Sequence, residues 1–206
     1  MAHSKNRVIG VNGRIPWDIP NDRKIFKSLT KDKILIIGRR TFEEEPNQCH
    51  IDHTKHSIIV STTMDKPQIP IANSNACSAE VPSHKLHVSK SLGEALHLAN
   101  NLSGSGNGEA AEISRLVCWV AGGERLYEES LKHPSAEELH LSEVDLEVDV
   151  SNDNGKIHDI SFFPARYRWD NVFKLVSSHE YPEIADEDFH TPGFTYNVYK
   201  RLRRQR

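Results

Sequence analysis

Residues 34–42 of the chain read Ile34-Leu-Ile-Ile-Gly-Arg-Arg-Thr-Phe42. A short, unbroken apolar run ending at glycine is the pattern of a strand buried on both faces. The arginines and threonine that follow mark the place where that strand ends and a helix begins. Working outward, residues 57–60 and 115–120 repeat the buried-strand pattern, and residues 85–89 form a weaker strand. Helical segments lie between them. Residues 21–30 place Asp22, Ile25, Phe26 and Leu29 on one face, three and four apart. Residues 91–100 open with Ser91 and Glu94, a capping-box signature. Residues 123–132 follow a glycine pair. This alternation predicts an α/β fold with a central, mostly parallel sheet flanked by helices.

The last third changes character. Residues 138–144, 173–181 and 194–202 read as strands without intervening helices, and the last two are expected to pair as a C-terminal antiparallel hairpin. The 206 residues suit a single domain spanning 1–206, with loop insertions near 62–83, 103–112 and 147–160.

The formal net charge is −3 and the mean hydropathy −0.58, so neither a nucleic-acid partner nor an anionic membrane is indicated. No apolar run reaches the length of a membrane span. Cys49, Cys77 and Cys118 are an odd set without CxxC spacing, which fits reduced thiols in a cytoplasmic setting. His50, His53 and His56 have the spacing of a helical face, but Pro46, Asp52 and Thr54 point to a solvated loop, and no metal is assigned.

Three constellations could carry chemistry. In Arg7-Val-Ile-Gly-Val-Asn-Gly-Arg-Ile-Pro-Trp17, Asn12-Gly13 is a strong turn signal and the prolines at 16 and 20 stiffen the approach to Asp22. Asp22 falls in the first turn of a helix. A carboxylate there can serve the helix dipole alone, yet its place on the apolar face is unusual. In Val120-Ala-Gly-Gly-Glu-Arg-Leu-Tyr127, paired glycines between a strand and a helix let backbone approach a phosphate-bearing ligand. This is not a GxGxxG fingerprint. In Ile36-Ile-Gly-Arg-Arg-Thr-Phe42, two guanidinium forks beside a helix start suit phosphate.

In that order and at those separations, the three segments resemble the dihydrofolate reductase family over most of the chain. Ser57-Ile-Ile-Val-Ser-Thr62, Glu138-Leu-His-Leu-Ser142 and Phe162-Phe-Pro164 add to the match. The resemblance implies NADPH as cofactor, dihydrofolate as substrate, hydride transfer to C6 and protonation at N5. It makes Asp22 the pterin anchor, with Ser142 bonded to it and Trp17 near the water that carries the proton. It places Ala2, Ile9, Ile15, Phe26, Ala121 and Tyr127 around the substrate, and makes 11–15 a mobile loop. Gly10, Gly13, Arg39, Arg40, Thr41, Ser61, Thr62 and Arg125 would hold the cofactor. So would Gly122 and Gly123, joined by a cis peptide. The pair at 39–40 would favour NADPH over NADH by countering its extra phosphate.

The departures are specific. Lys55 stands where the family has an arginine for the substrate's α-carboxylate, which forfeits a bidentate fork. Ala121 stands where a larger side chain is usual. Two other functions therefore stay open: an NADPH-dependent reductase of another pteridine or a pyrimidine, and a non-catalytic NADP-binding module. The expected state is a monomer without nucleic-acid or membrane partners. Only six residues precede Arg7, where related proteins carry a buried central strand, so the chain is expected to be a truncated form that natively begins further upstream.

Overall fold

The structure is a computed structural model that describes residues 1–44, 50–67, 85–103, 117–150, 159–164, 167–186 and 189–202. It is a mixed α/β fold whose chain divides into two compact units, one of Met1–Phe26 with Tyr127–Arg206 and the other of Lys27–Leu126.

The first unit contains β1 (Ala2–Ser4), β2 (Val8–Val11) and the start of α1 (Pro20–Thr30). The second unit holds β3 (Ile34–Gly38), α2 (Arg39–Glu44), α3 (His50–His53), β4 (His56–Val60), β5 (Leu86–Ser89), α4 (Leu92–Ser103) and β6 (Cys118–Val120). From α5 (Glu124–Lys132) the chain returns to the first unit as β7 (Glu138–Val144), β8 (Ile160–Phe162), β9 (Phe173–Tyr181), β10 (Ile184–Asp186), β11 (Phe189–Thr191) and β12 (Phe194–Arg201).

The second unit is built on a four-stranded, all-parallel sheet in the order β5-β4-β3-β6. Side chains alternate across a strand, so a continuous apolar run must be covered twice. Ile36 and Ile58 meet Leu92, Ala95 and Ala99 of α4, while Ile37 and Ile59 meet Phe42 of α2 on the opposite face. Ser91 caps α4 as its spacing predicts, its Oγ accepting the Glu94 amide at 3.2 Å. The return arm differs, because the Glu94 carboxylate accepts the amide of Lys90 rather than that of Ser91.

The first unit has a mixed sheet in the order β1-β7-β12-β9. β1 runs parallel to β7, with Ala2 opposite Ser142. β12 runs antiparallel to both β7 and β9, so the C-terminal hairpin forms as expected. Leu131, Leu139, Leu141, Phe163 and Phe173 make one core cluster and Ile19, Val144 and Phe194 another. Arg201 closes the C-terminal end of α5. Its Nη2 donates to the carbonyls of Leu131 and His133 at 2.8 Å each, and its guanidinium lies 4.6 Å from the Phe173 ring centre. A cation at a helix C-terminus satisfies carbonyls that lack helical partners.

Three expectations are corrected. His50–His53 is one helical turn, not a loop, and the Lys33–Lys55 and Asp32–His53 backbone bonds hold its end against the start of β3. The loop set at 147–160 ends in strand, since Ile160 opens β8 and pairs with Val11. Val11, placed in the loop 11–15, is the last residue of β2. Most of the three insertions, and residues 115 and 116 of the third strand, lie outside the described residues.

Candidate active site

Asp22 is the third residue of α1, which opens with Pro20. Proline suits the first turn because its missing N–H has no helical partner there, and an acid in that turn complements the dipole. The carboxylate is half-buried rather than displayed to solvent. β7 brings Ser142 to it, and the Ser142 Oγ donates to Asp22 Oδ1 at 2.5 Å. Ser142 is itself buried, its amide donates to the Met1 carbonyl, and its backbone is held between β1 and β12. Hydrogen bonds to a carboxylate are short and about twice as strong as neutral ones. The negative charge of Asp22 is felt nearby: burial first, then Asp22, push the Tyr127 hydroxyl above its ordinary range and keep it protonated.

Around this pair, Trp17, Ala2 and Ile25 pack with the Ile19, Val144 and Phe194 cluster. Ile9 packs with the other core cluster of the same unit, and Phe26 is half-buried. Ile15 is 65% exposed. Asn12 and Gly13 both adopt positive φ, 49° and 76°, in a tight turn closed by a bridge between Val11 and Arg14. Asn12 is pinned to Asp159 by two bonds, one from each backbone amide. Gly10 sits in β2, paired with Ser161.

The second unit carries the glycine set. Gly122–Gly123 is a cis peptide, as the family resemblance implies. The Gly38 amide donates to the Gly122 carbonyl at 2.6 Å, and the Ala121 amide donates to Ile36. A Cβ on Gly38 would stand 3.1 Å from the Gly123 nitrogen, and one on Gly123 would stand 3.0 Å from Thr41 Oγ1. Glycine is required here because backbone packs on backbone. This close packing ends at the N-terminus of α5, whose first amides lack helical acceptors. Arg125 and Arg40 are exposed nearby in sequence, and Arg39 Nη1 donates to Glu43 Oε2 at 2.7 Å. The glycine cradle, the helix N-terminus and the guanidinium groups fit a phosphate-bearing cofactor.

Two expected cofactor residues are otherwise engaged or displayed. Ser61 Oγ accepts the amides of Thr63 and Met64, capping a turn, and Thr62 is exposed. Lys55 is exposed on the rim of an open groove that Lys27, Lys31 and Lys85 also line. No group of three or more histidine, cysteine or acidic residues that could hold a metal occurs among the described residues.

Sequence reading missed one polar chain in the first unit. Tyr196 stands opposite Ser142 in the β7–β12 register, its hydroxyl lies 2.6 Å from His140 Nδ1, and His140 Nε2 lies 3.1 Å from Glu138 Oε2. Strand alternation alone puts His140 and Ser142 on one face, which is the signal that was available.

A family model for dihydrofolate reductase matches residues 1–201. The chain is 28% identical to dihydrofolate reductase type A13 of Escherichia coli, over 97% of this chain and 91% of that protein. It is 25% identical to the dihydrofolate reductase of Rattus norvegicus, over 98% and 95% respectively. A bifunctional dihydrofolate reductase-thymidylate synthase of Arabidopsis thaliana is 26% identical over 72% of this chain, which spans about a quarter (24%) of that longer protein. The fold is that of a solved dihydrofolate reductase from Enterococcus faecalis complexed with NADP(H), with a TM-score of 0.64 at 23% identity over 97% of this chain and 92% of that one.

Proposed function

This chain belongs to the dihydrofolate reductase family, and we propose that it reduces 7,8-dihydrofolate to 5,6,7,8-tetrahydrofolate at the expense of NADPH, with Asp22 as the anchor of the pterin. The observation that carries the reading is the short Ser142–Asp22 bond on a half-buried carboxylate. Ser142 occupies one lone-pair direction of Asp22 and orients the group. The carboxylate then accepts two parallel N–H bonds from the pterin's 2-amino group and adjacent ring nitrogen. Its charge also favours arrival of the proton that ends on N5, through water near Trp17. Tyr127, held protonated by burial and by the charge of Asp22, stays neutral.

NADPH, when bound, supplies the hydride that goes to C6. Gly122 and Gly123 let backbone close on it, the first amides of α5 and the arginines at 39, 40 and 125 hold its phosphates, and Thr41 closes the cradle. Lys55 meets the substrate's carboxylate tail as a point charge instead of a fork. Gly10, Gly13, Ser61, Thr62 and Ala121 complete the residues assigned to the cofactor and pterin. The enzyme acts as a monomer in a reducing, cytosol-like compartment, a reading supported by its three unpaired-pattern cysteines.

The test is NADPH oxidation by the purified chain with and without dihydrofolate, with tetrahydrofolate measured as product. One tetrahydrofolate should form for each NADPH consumed. Oxidation of NADPH with an unconjugated pterin but not with dihydrofolate would assign a different pteridine. No consumption with either would leave a binding module.

A further inference from the structure

The polar chain beside Ser142 has no part in the reading above. Glu138 at one end is exposed, the His140 side chain in the middle is 11% exposed, and Tyr196 at the other end is half-buried. The His140 hydrogen bond holds the Glu138 carboxyl below its ordinary range, so Glu138 is ionised. Burial pushes the His140 imidazole below its ordinary value, so it is neutral near pH 7 and carries one proton. An ionised carboxylate only accepts, which puts that proton on Nε2 and leaves Nδ1 as an acceptor. Tyr196 therefore donates its O–H to Nδ1. Burial first, then the charges around it, including that of Asp22, raise the Tyr196 hydroxyl and keep it protonated.

This order of donors runs from Tyr196 through His140 to Glu138, and linked bonds polarise one another. The phenol oxygen gains negative character. It does so on the residue directly opposite Ser142, whose own hydroxyl is bonded to Asp22. Directly opposed antiparallel residues share a face with Cβ atoms about 5 Å apart. The Tyr196 ring also packs in the same cluster as Trp17 and Ile25.

We propose that Glu138, His140 and Tyr196 act as positioning residues for the Asp22–Ser142 pair: they present the fixed, partly negative oxygen of Tyr196 to the face of β7 that carries Ser142, and so favour a proton at the pterin–carboxylate site. The proposal rests on the assignment of Asp22 as pterin anchor. The other titratable or charged groups facing this patch are the Met1 amine, Tyr127 of α5, Lys200 of β12, and His179 and Tyr181 of β9.

Taking away negative potential makes a proton on the bound pterin less favourable. Proton-linked midpoints at this site must then move to lower pH. We expect Tyr196→Phe, which keeps the packed ring, to lower the midpoint of the pH profile for dihydrofolate reduction by on the order of half a pH unit, the scale of a partial charge acting at an effective dielectric of about 20. The pH midpoint of folate affinity, read by tryptophan fluorescence, should move the same way. His140→Phe should match Tyr196→Phe, and the double variant should go no further, since either change cuts the same chain. If Tyr196→Phe does not fold, the exposed Glu138→Gln serves instead, with a smaller shift of the same sign. Unmoved midpoints in both assays, with altered melting temperature alone, overturn the proposal and leave the chain structural. Nitrogen-15 chemical shifts of His140 in the free protein give a readout independent of turnover. The Nε2–H tautomer is expected, and the Nδ1–H tautomer overturns the order of donors. Failure of the unsubstituted protein to bind folate at all would instead count against Asp22 as pterin anchor.

Discussion

Ser142 Oγ donates to Asp22 Oδ1 across 2.5 Å, from a residue on β7 to one in the first turn of α1. The serine is buried, so its hydroxyl would cost free energy if left without a partner. We expect Ser142→Ala to fold, to lose about 1–3 kcal/mol of stability or transition-state binding, and to lower kcat/KM for dihydrofolate by at least severalfold. Ser142→Thr, which keeps the hydroxyl, should restore most of it. Steady-state kinetics and urea unfolding of the two variants check this.

Arg39 is turned onto Glu43 at 2.7 Å, one helical turn away, in a pair that is itself partly exposed. Such pairs contribute little to stability, about 0.3–0.5 kcal/mol. Releasing the guanidinium should cost the fold almost nothing. Glu43→Gln is expected to tighten NADPH a few-fold and leave NADH nearly unchanged, because the 2′-phosphate is what the freed fork recognises. Removing Arg39 and Arg40 together should weaken NADPH far more than NADH. Equal changes for the two cofactors, measured by fluorescence titration, would place the 2′-phosphate elsewhere.

Gly38 packs backbone against backbone. Its missing Cβ would stand 3.1 Å from the Gly123 nitrogen and 3.3 Å from the Gly122 oxygen. Neither atom can swing aside as a side chain can. Gly38→Ala should cost about 1–3 kcal/mol, lower the melting temperature by several degrees and weaken NADPH. Thermal melting with and without cofactor reads both effects.

Two largely buried histidines set the acid side of stability. Burial pushes both His3 and His140 below their ordinary values. In each case the unfolded chain takes up the proton first as the pH falls. Stability is therefore expected to be level above about pH 7 and to decline as the pH drops below about 6.5. Glu138, held low by His140, contributes only further down, where carboxylates titrate. Urea midpoints at about pH 7.5 and about pH 5.5 should differ in favour of the higher pH. A midpoint that rises on acidification would contradict this assignment.

The parallel half of the fold was legible because its signals are local. A run such as 34–38 shows its own burial, and the Phe42, Leu92 and Ala95 that cover it lie close in sequence to their strands. Asp22 could be singled out from its helix face, but its partner could not be found by spacing, since Ser142 is 120 residues away; only the resemblance supplied it. The Tyr196–His140 contact joins strands 56 residues apart, and antiparallel register depends on pairing that alternation does not specify. Pro46, Asp52 and Thr54 predict a loop around His50–His53, yet backbone bonds to Lys33 and Asp32 select a helical turn. Ile15, which the resemblance alone places beside the substrate, is mostly exposed.

The most direct measurement is single-turnover NADPH oxidation with dihydrofolate at neutral pH, for the unaltered chain and for Asp22→Asn. An amide cannot supply the charge or the paired acceptance of two N–H bonds. We expect rapid, dihydrofolate-dependent oxidation by the first and a rate lower by about a hundredfold or more in the second, with NADPH affinity and melting temperature retained. A near-native rate for Asp22→Asn would contradict it.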